Sequence, residues 1–426
     1  MIINIPYGQG EQSADIPEPA EILLSDIQSL KACPDENLTV LEAMKAPVDS
    51  PTLAELAKGK KKAVLIISDH TRPVPSRVII PHMLREMRTG SPGIDITLLV
   101  ATGCHRGTKP EELREKLGDD VFEHEKIVVH DCDASPLTEI GTLPSGAKLV
   151  INSLVAEADL VAAEGFIEPH FFAGFSGGRK SILPGVCSRV TVLGNHCSRF
   201  IDHACSRTGI LKDNPINRDM EAAVRMGKLQ YIVNVVINED KKVVAAFAGD
   251  PVEAHHRGAE YLLGYCEVHP RDLSDIVITS NGGAPLDQNL YQAVKGMTAA
   301  EAAGNEGSVM IMLAECADGI GGDVFYREMA ECSTVEKLYE EILATPQDKT
   351  VPDQWQYQIL VRIMLHHHVI VVAKPEMEKI VTDMKMEYQP DLASAWKRAA
   401  ALKGEDARVT VIPNGISVIV GEPGTA

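Results

Sequence analysis

The run Val64-Leu-Ile-Ile-Ser-Asp-His-Thr-Arg-Pro-Val-Pro75 decides how the rest of the chain is read. A short apolar, β-branched stretch over 64–67 predicts a strand that stops at Ser68-Asp69. A helical pattern follows over 77–88, with Val78, Ile79, Met83, Leu84 and Met87 at helical spacing. The same alternation recurs along the chain. A run at 94–100 ends at Ala101-Thr-Gly-Cys-His105, before a second helical pattern over 109–117. Further apolar runs lie at 127–130, 160–163, 232–237, 276–279, 309–313 and 369–372. This order predicts an α/β fold of largely parallel sheets flanked by helices. Asp69, His105, Glu164-Gly165 and Asn281-Gly282-Gly283 then fall just past the carboxyl ends of predicted strands, where open α/β sheets put their ligands.

At 426 residues the chain can carry two domains with separate cores. The expected boundary lies near a helix over 251–265, with Arg271-Asp-Leu-Ser274 opening the second unit. That gives an N-terminal cofactor-binding domain over 1–270 and a C-terminal domain over 271–404, with 405–426 free to rejoin the first. Sixty acidic residues against 41 basic ones give a formal net charge of -19, which repels nucleic acid and anionic membranes. Nine cysteines without a C-x-x-C pair fit a reduced, cytoplasmic setting. No apolar run is long enough to span a bilayer, and the amino terminus has no secretory pattern.

The densest chemistry lies in Glu168-Pro-His-Phe-Phe-Ala-Gly-Phe-Ser-Gly-Gly-Arg-Lys-Ser-Ile-Leu-Pro-Gly185, followed by Gly194-Asn-His196. Gly174, Gly177 and Gly178 permit positive φ and close approach of backbone N–H groups to an anion or a flat ring. Lys180 can hold a phosphate as a point charge or, deprotonated, attack a carbonyl or thioacyl carbon. His170 and His196 each offer a base or a metal ligand. Half of the eight Phe of the chain stand at Phe166, Phe171, Phe172 and Phe175, which suggests a walled, partly dry pocket. Elsewhere, Arg72 sits in a Pro-stiffened loop and offers a guanidinium fork for a carboxylate or phosphate. Asp69 could orient it, accept from a ribose hydroxyl, or simply cap a turn. Gln292 and Lys295, three apart on a predicted helix, share a face near Tyr291. His366-His-His368 is not read as a metal site, because neighbours on a helix point about 100° apart.

His170, Lys180 and His196, with Asp69-His-Thr-Arg-Pro-Val-Pro75, Gly103-Cys-His-Arg106 and Tyr291-Gln-Ala-Val-Lys295, resemble the signature set of the nickel-pincer lactate racemase family. The resemblance runs from about Ser68 to Trp355. It implies a racemase or epimerase of 2-hydroxy acids with its active site between two α/β domains. The implied cofactor is a nickel-pincer nucleotide, a pyridinium-derived mononucleotide holding Ni between two sulfurs and a carbon. It would be tethered to Lys180, with His196 as the fourth nickel ligand, an assignment that suits imidazole nitrogen. Asp69, Thr71, Gly177, Gly178, Tyr291 and Trp355 would lie against the cofactor. Arg72, Gln292 and Lys295 would bind the substrate, and His105 and His170 would serve as acid/bases on its two faces. Expected partners are a small 2-hydroxy acid and the cofactor biosynthesis proteins that load the site, with no nucleic acid and no membrane. A homodimer stays open.

Two other readings stay beside this one. A nicotinamide-dependent 2-hydroxy acid dehydrogenase would need a G-x-G-x-x-G between a strand and a helix, and the chain has none so placed. A non-catalytic carrier of the nickel nucleotide would have no use for two bases and two cations.

Overall fold

A computed structural model describes residues 1–404 and 406–424. The chain forms two compact units, one of residues 27–196 and 203–264, the other of residues 1–26, 197–202 and 265 onward. Both are built on six-stranded sheets, as the alternation of strand and helix signals predicts.

The sheet of the first unit contains β1 (Lys62–Ser68), β2 (Asp95–Ala101), β3 (Lys126–Val129), β4 (Leu160–Phe166), β5 (Leu229–Ile237) and β6 (Val243–Gly249). Their order across the sheet is β6-β5-β4-β1-β2-β3, and every pair but β5 with β6 is parallel. Ala63 to Ile67 are buried without a break, as expected of a parallel strand covered on both faces. Helix α1 (Ser76–Gly90) follows and turns Ile79, Ile80, Met83, Leu84 and Met87 into the core under the sheet. Each such fully buried side chain contributes roughly 1.5–3 kcal/mol. From β1 the chain steps outward to β2 and β3, then returns to lay β4 and β5 on the other side. Strand order therefore reverses between β1 and β4, and the crevice at their carboxyl ends is where ligands of open α/β sheets bind. The residues there are Ser68-Asp69 and Glu164.

The second unit carries β7 (Ser274–Ser280), β8 (Gly304–Leu313), β9 (His368–Val372), β10 (Glu387–Gln389) and β11 (Val409–Ile412), with Ala20–Ile22 at one edge. The order is β10-β9-β8-β7-β11 and then Ala20–Ile22, all parallel. Two expectations change here. Val409–Ile412 pairs with β7, so the end of the chain completes the second sheet and does not rejoin the first domain; Glu405, Thr425 and Ala426 of that segment lie outside the described residues. The amino-terminal residues also belong to this unit. Their hairpin, Ile2–Tyr7 with Gly10–Asp15, buries Ile3, Ile5 and Ala14 in one core with Ile276, Ile311 and Val411. Among the described residues, no helix is long and apolar enough to cross a membrane.

Candidate active site

At the reversal point of the first sheet, the loop after β1 and the loop after β2 meet. Gly103 adopts φ +55 and donates its N–H to the Gly185 carbonyl at 2.9 Å, so the loop bends back over the sheet and is tied to the end of the 168–185 run. Two residues on, His105 Nδ1 lies 2.7 Å from Asp69 Oδ2. Asp69 is 1% exposed, whereas the His105 side chain is 47% exposed. Thr71 closes on the other carboxylate oxygen, donating its backbone N–H at 3.1 Å and its hydroxyl at 2.7 Å. Burial alone would raise the Asp69 carboxyl. The hydrogen bonds from His105 and Thr71, with the nearby positive charge, outweigh it and hold the group below the ordinary carboxylate value. An ionised Asp69 fixes the hydrogen of His105 on Nδ1 and leaves the Nε2 lone pair outward, the arrangement of a general base. Asp69 and Thr71, expected against the cofactor, are thus brought together with His105 and spend their polar atoms on orienting it. Arg72 is half-buried in the same loop, its N–H on the Asp69 carbonyl at 3.2 Å.

The 168–185 run is folded by close packing. Pro169–His170 pairs antiparallel with Gly174–Phe175 in a tight hairpin. The Ala173 N–H donates to His170 Nδ1 at 3.3 Å, which leaves Nε2 of a neutral ring to carry the hydrogen. Phe172 stands edge-on to His170 and to His196, with ring centroids 4.6 and 5.1 Å away. The two histidines therefore flank one aromatic ring. Burial, and then the charge of Lys180, push the His196 imidazole down to about 3, so it is neutral at physiological pH. A neutral imidazole beside a lysine amine is the donor set that a nickel ion and an amine-linked cofactor require. On this chemistry the residues present fit the group.

Gly177 and Gly178 serve the chain's own packing. A Cβ on Gly177 would lie 2.6 Å from Asn234 Oδ1, and one on Gly178 2.7 Å from the His255 ring. The Gly178 N–H already donates to Asn234 Oδ1 at 2.7 Å. These glycines shape the turn Gly178–Ser181 that carries Lys180, and that amide is not left for an anion. Arg179, which sequence reading passed over as a neighbour of Lys180, is the peg of the turn. It is 1% exposed and donates to Ala173 O at 2.6 Å and Asn217 Oδ1 at 2.6 Å, with His255 Nε2 at 2.8 Å. Nothing in a lone arginine beside a lysine signals burial. The signal that existed was the pair of glycines before it.

In the second unit, α3 (Leu290–Ala303) carries Tyr291, Gln292 and Lys295. Asn289 caps it by accepting from the Gln292 N–H at 2.9 Å, and Asn281 at the end of β7 donates to the Gln292 carbonyl at 2.8 Å. Tyr291 donates to Asp353 Oδ1 at 3.1 Å and has the Trp355 side chain as a further hydrogen-bond partner, so these two expected residues meet. Gln292 and Lys295 are both half-exposed on α3. His366, His367 and His368 each face a different neighbour: Glu306, Ser308 and Glu387.

Two units built on largely parallel six-stranded sheets, one of them holding an aspartate-oriented histidine at its topological switch point, define a two-domain α/β protein whose crevice can support acid/base chemistry. Comparison with known proteins narrows this. Residues 7–209 match the family described as "Lactate racemase N-terminal domain", and residues 270–420 match "Lactate racemase C-terminal domain". The chain is 49% identical over 423 residues to the lactate racemase of Thermoanaerobacterium thermosaccharolyticum, covering 99% of each. It is 47% identical to that of Lactiplantibacillus plantarum, covering 99% of this chain and 100% of that one. The solved apoprotein structure from T. thermosaccharolyticum superposes with a TM-score of 0.94 at 48% identity, over 99% of this chain and 100% of that one. A Thermotoga maritima protein of known structure, at 19% identity and TM-score 0.64 over 91% of this chain, shares the fold. The chain belongs to the lactate racemase family, and it is an isomerase.

Proposed function

We propose that this protein racemises lactate, inverting C2 of a small 2-hydroxy acid by way of a nickel-pincer nucleotide, in a reducing, cytoplasmic setting. The observation that carries this reading is the 2.7 Å contact between Asp69 and His105, which presents a base at the switch point of the first sheet. Lys180 would tether the nucleotide and His196 would ligate its nickel, with Tyr291 and Trp355 against it. Loading would call for cofactor biosynthesis proteins. When bound, that group would supply a hydride acceptor for C2. The C2 hydrogen of a hydroxy carboxylate is a very poor acid, because its neighbour is already an anion, so the chain's bases act elsewhere.

His105 takes the hydroxyl proton at Nε2, and Asp69 stabilises the imidazolium that results. His170 is the counterpart for the mirror-image substrate that the family resemblance implies. The base for one enantiomer is the acid for the other. Arg72 binds the carboxylate bidentately, with Lys295 and Gln292 as the further partners that the family resemblance implies. The Phe171 and Phe172 rings beside His170 keep water from that side. Purified, cofactor-loaded protein incubated with L- or D-lactate should bring either enantiomer to a racemic mixture, and His105→Ala should abolish it. No change of chirality in lactate, with inversion of another 2-hydroxy acid from a panel, would overturn the substrate; no inversion of any member would overturn the activity.

A further inference from the structure

We infer that Glu164 and Lys116, to which nothing above gives a role, are positioning residues that hold the 69–75 loop in shape for substrate. Glu164 stands at the carboxyl end of β4, beside β1, and is 2% exposed. One of its oxygens, Oε1, accepts from the Ser68 N–H at 3.2 Å, the Ser68 hydroxyl at 3.1 Å and the Ser76 hydroxyl at 2.7 Å. Ser68 ends β1 and Ser76 begins α1, so a single carboxylate oxygen pins both ends of the loop. Lys116, on α2 (Pro110–Leu117), pins the middle by donating from Nζ to the Arg72 carbonyl at 3.0 Å.

The charges fit that role. Glu164 Oε2 is buried and has no hydrogen-bond partner among the described residues. Leaving a carboxylate oxygen so is unfavourable unless a cation lies near. Lys116 is that cation: burial pulls its amine below the ordinary lysine value, while Glu164 and then Asp69 act against the shift. The Arg72 guanidinium is felt at Lys116 as well. Two buried carboxylates and two half-buried cations thus share one corner, and the loop there carries both Asp69 and Arg72. A backbone pinned at three points narrows the directions in which Arg72 can aim its fork. Glu164 and Lys116 act through Arg72 and do not touch substrate.

This rests on the reading that Arg72 binds the substrate carboxylate. Lost positioning of a binding group weakens ground and transition states alike, so it appears in KM more than in kcat. Lys116→Met, which keeps the stem and removes the charge, should raise KM for lactate about tenfold with kcat within about threefold. Glu164→Ala should do at least as much. Glu164→Gln should recover most of the loss, since its carbonyl oxygen can still accept from Ser68 and Ser76. In an Arg72→Ala background, Lys116→Met should add little, because the two share one route. If Arg72→Ala leaves KM unchanged, the carboxylate reading itself fails. If Arg72→Ala raises KM while Lys116→Met and Glu164→Ala leave it within about twofold, or if the effects of Arg72→Ala and Lys116→Met multiply in full, the positioning role is overturned.

Discussion

The two candidate acid/base histidines are held by opposite means. His105 is half-exposed and fixed by charge: a buried aspartate grips its Nδ1, and a carboxylate and a lysine brace the loop that carries the aspartate. His170 is fixed by packing, in a two-residue hairpin, against Phe171 and Phe172, over a turn pegged by the buried Arg179. The difference teaches that damage to the first region should appear in rate or binding, and damage to the second in stability. A base must stay accessible to its proton, so its orientation comes from a partner behind it. A lysine that is to tether a cofactor, the role proposed for Lys180, needs a rigid base under it, and glycines pressed against Asn234 and His255 supply that.

The sharpest break in this comparison is Asp69→Asn. The amide keeps the shape but presents an N–H toward His105 and forces the wrong tautomer. Activity should fall on the order of 10³ to 10⁴-fold, as in other histidine–aspartate dyads, while the neutral-pH unfolding midpoint falls much less than in Arg179→Met. Steady-state rates and denaturant unfolding on one preparation check both halves. Arg179→Met should do the reverse first. It strips partners from the Ala173 carbonyl, Asn217 and His255, and unsatisfied buried groups at about 1–3 kcal/mol each should lower stability by on the order of 3 kcal/mol or more. Gly178→Ala should cost less, roughly 1–3 kcal/mol, from overpacking against the His255 ring at positive φ. A fully stable Arg179→Met variant would remove the packing half of the comparison.

Acid separates the regions more gently. His255 is buried, and burial first, then the Arg179 charge, hold its imidazole well below the ordinary value. The unfolded chain binds that proton near pH 6.5 while the folded chain refuses it, so the stabilisation is full above about pH 6.5 and declines as pH falls below it. Asp69 behaves differently, because its carboxyl is lowered in the fold. Its contribution is full above about pH 3.9 and is lost only as pH drops through the lower folded value. Between pH 7.5 and 5, denaturation midpoints should therefore fall in the parent and fall less in His255→Asn, with Asp69→Asn following the parent.

The sequence made the central strands of both sheets legible because their apolar runs are short, unbroken and mostly followed by helical spacing, whereas Val243–Gly249, Glu387–Gln389 and Ala20–Ile22, toward the sheet edges, escaped it. Asp69 and His105 could be placed at strand ends by the same argument, and the signature residues by family resemblance. What stayed hidden depends on contacts far apart in the chain. Glu164 was visible at a strand end, but its grip on Ser68 and Ser76 is a tertiary fact, as is the reach of Lys116 to the Arg72 carbonyl. The glycines at 177 and 178 announced close approach without saying to what, and the answer was Asn234 and His255. Ala20–Ile22 and Val409–Ile412 joined the second sheet, and the amino-terminal hairpin packed into its core, because such neighbours are chosen by burial across the sheet, which local pattern does not encode.

The proposed chemistry depends on which substrate atom the histidines serve. If His105 and His170 exchange only the hydroxyl proton of the substrate, the hydrogen at C2 never becomes acidic and never meets solvent. Racemisation of lactate by the loaded protein in D2O, followed to equilibrium by NMR or mass analysis, should leave C2 almost free of deuterium. Stoichiometric deuterium at C2 would mean that the two histidines take the proton from carbon directly, and would contradict the account.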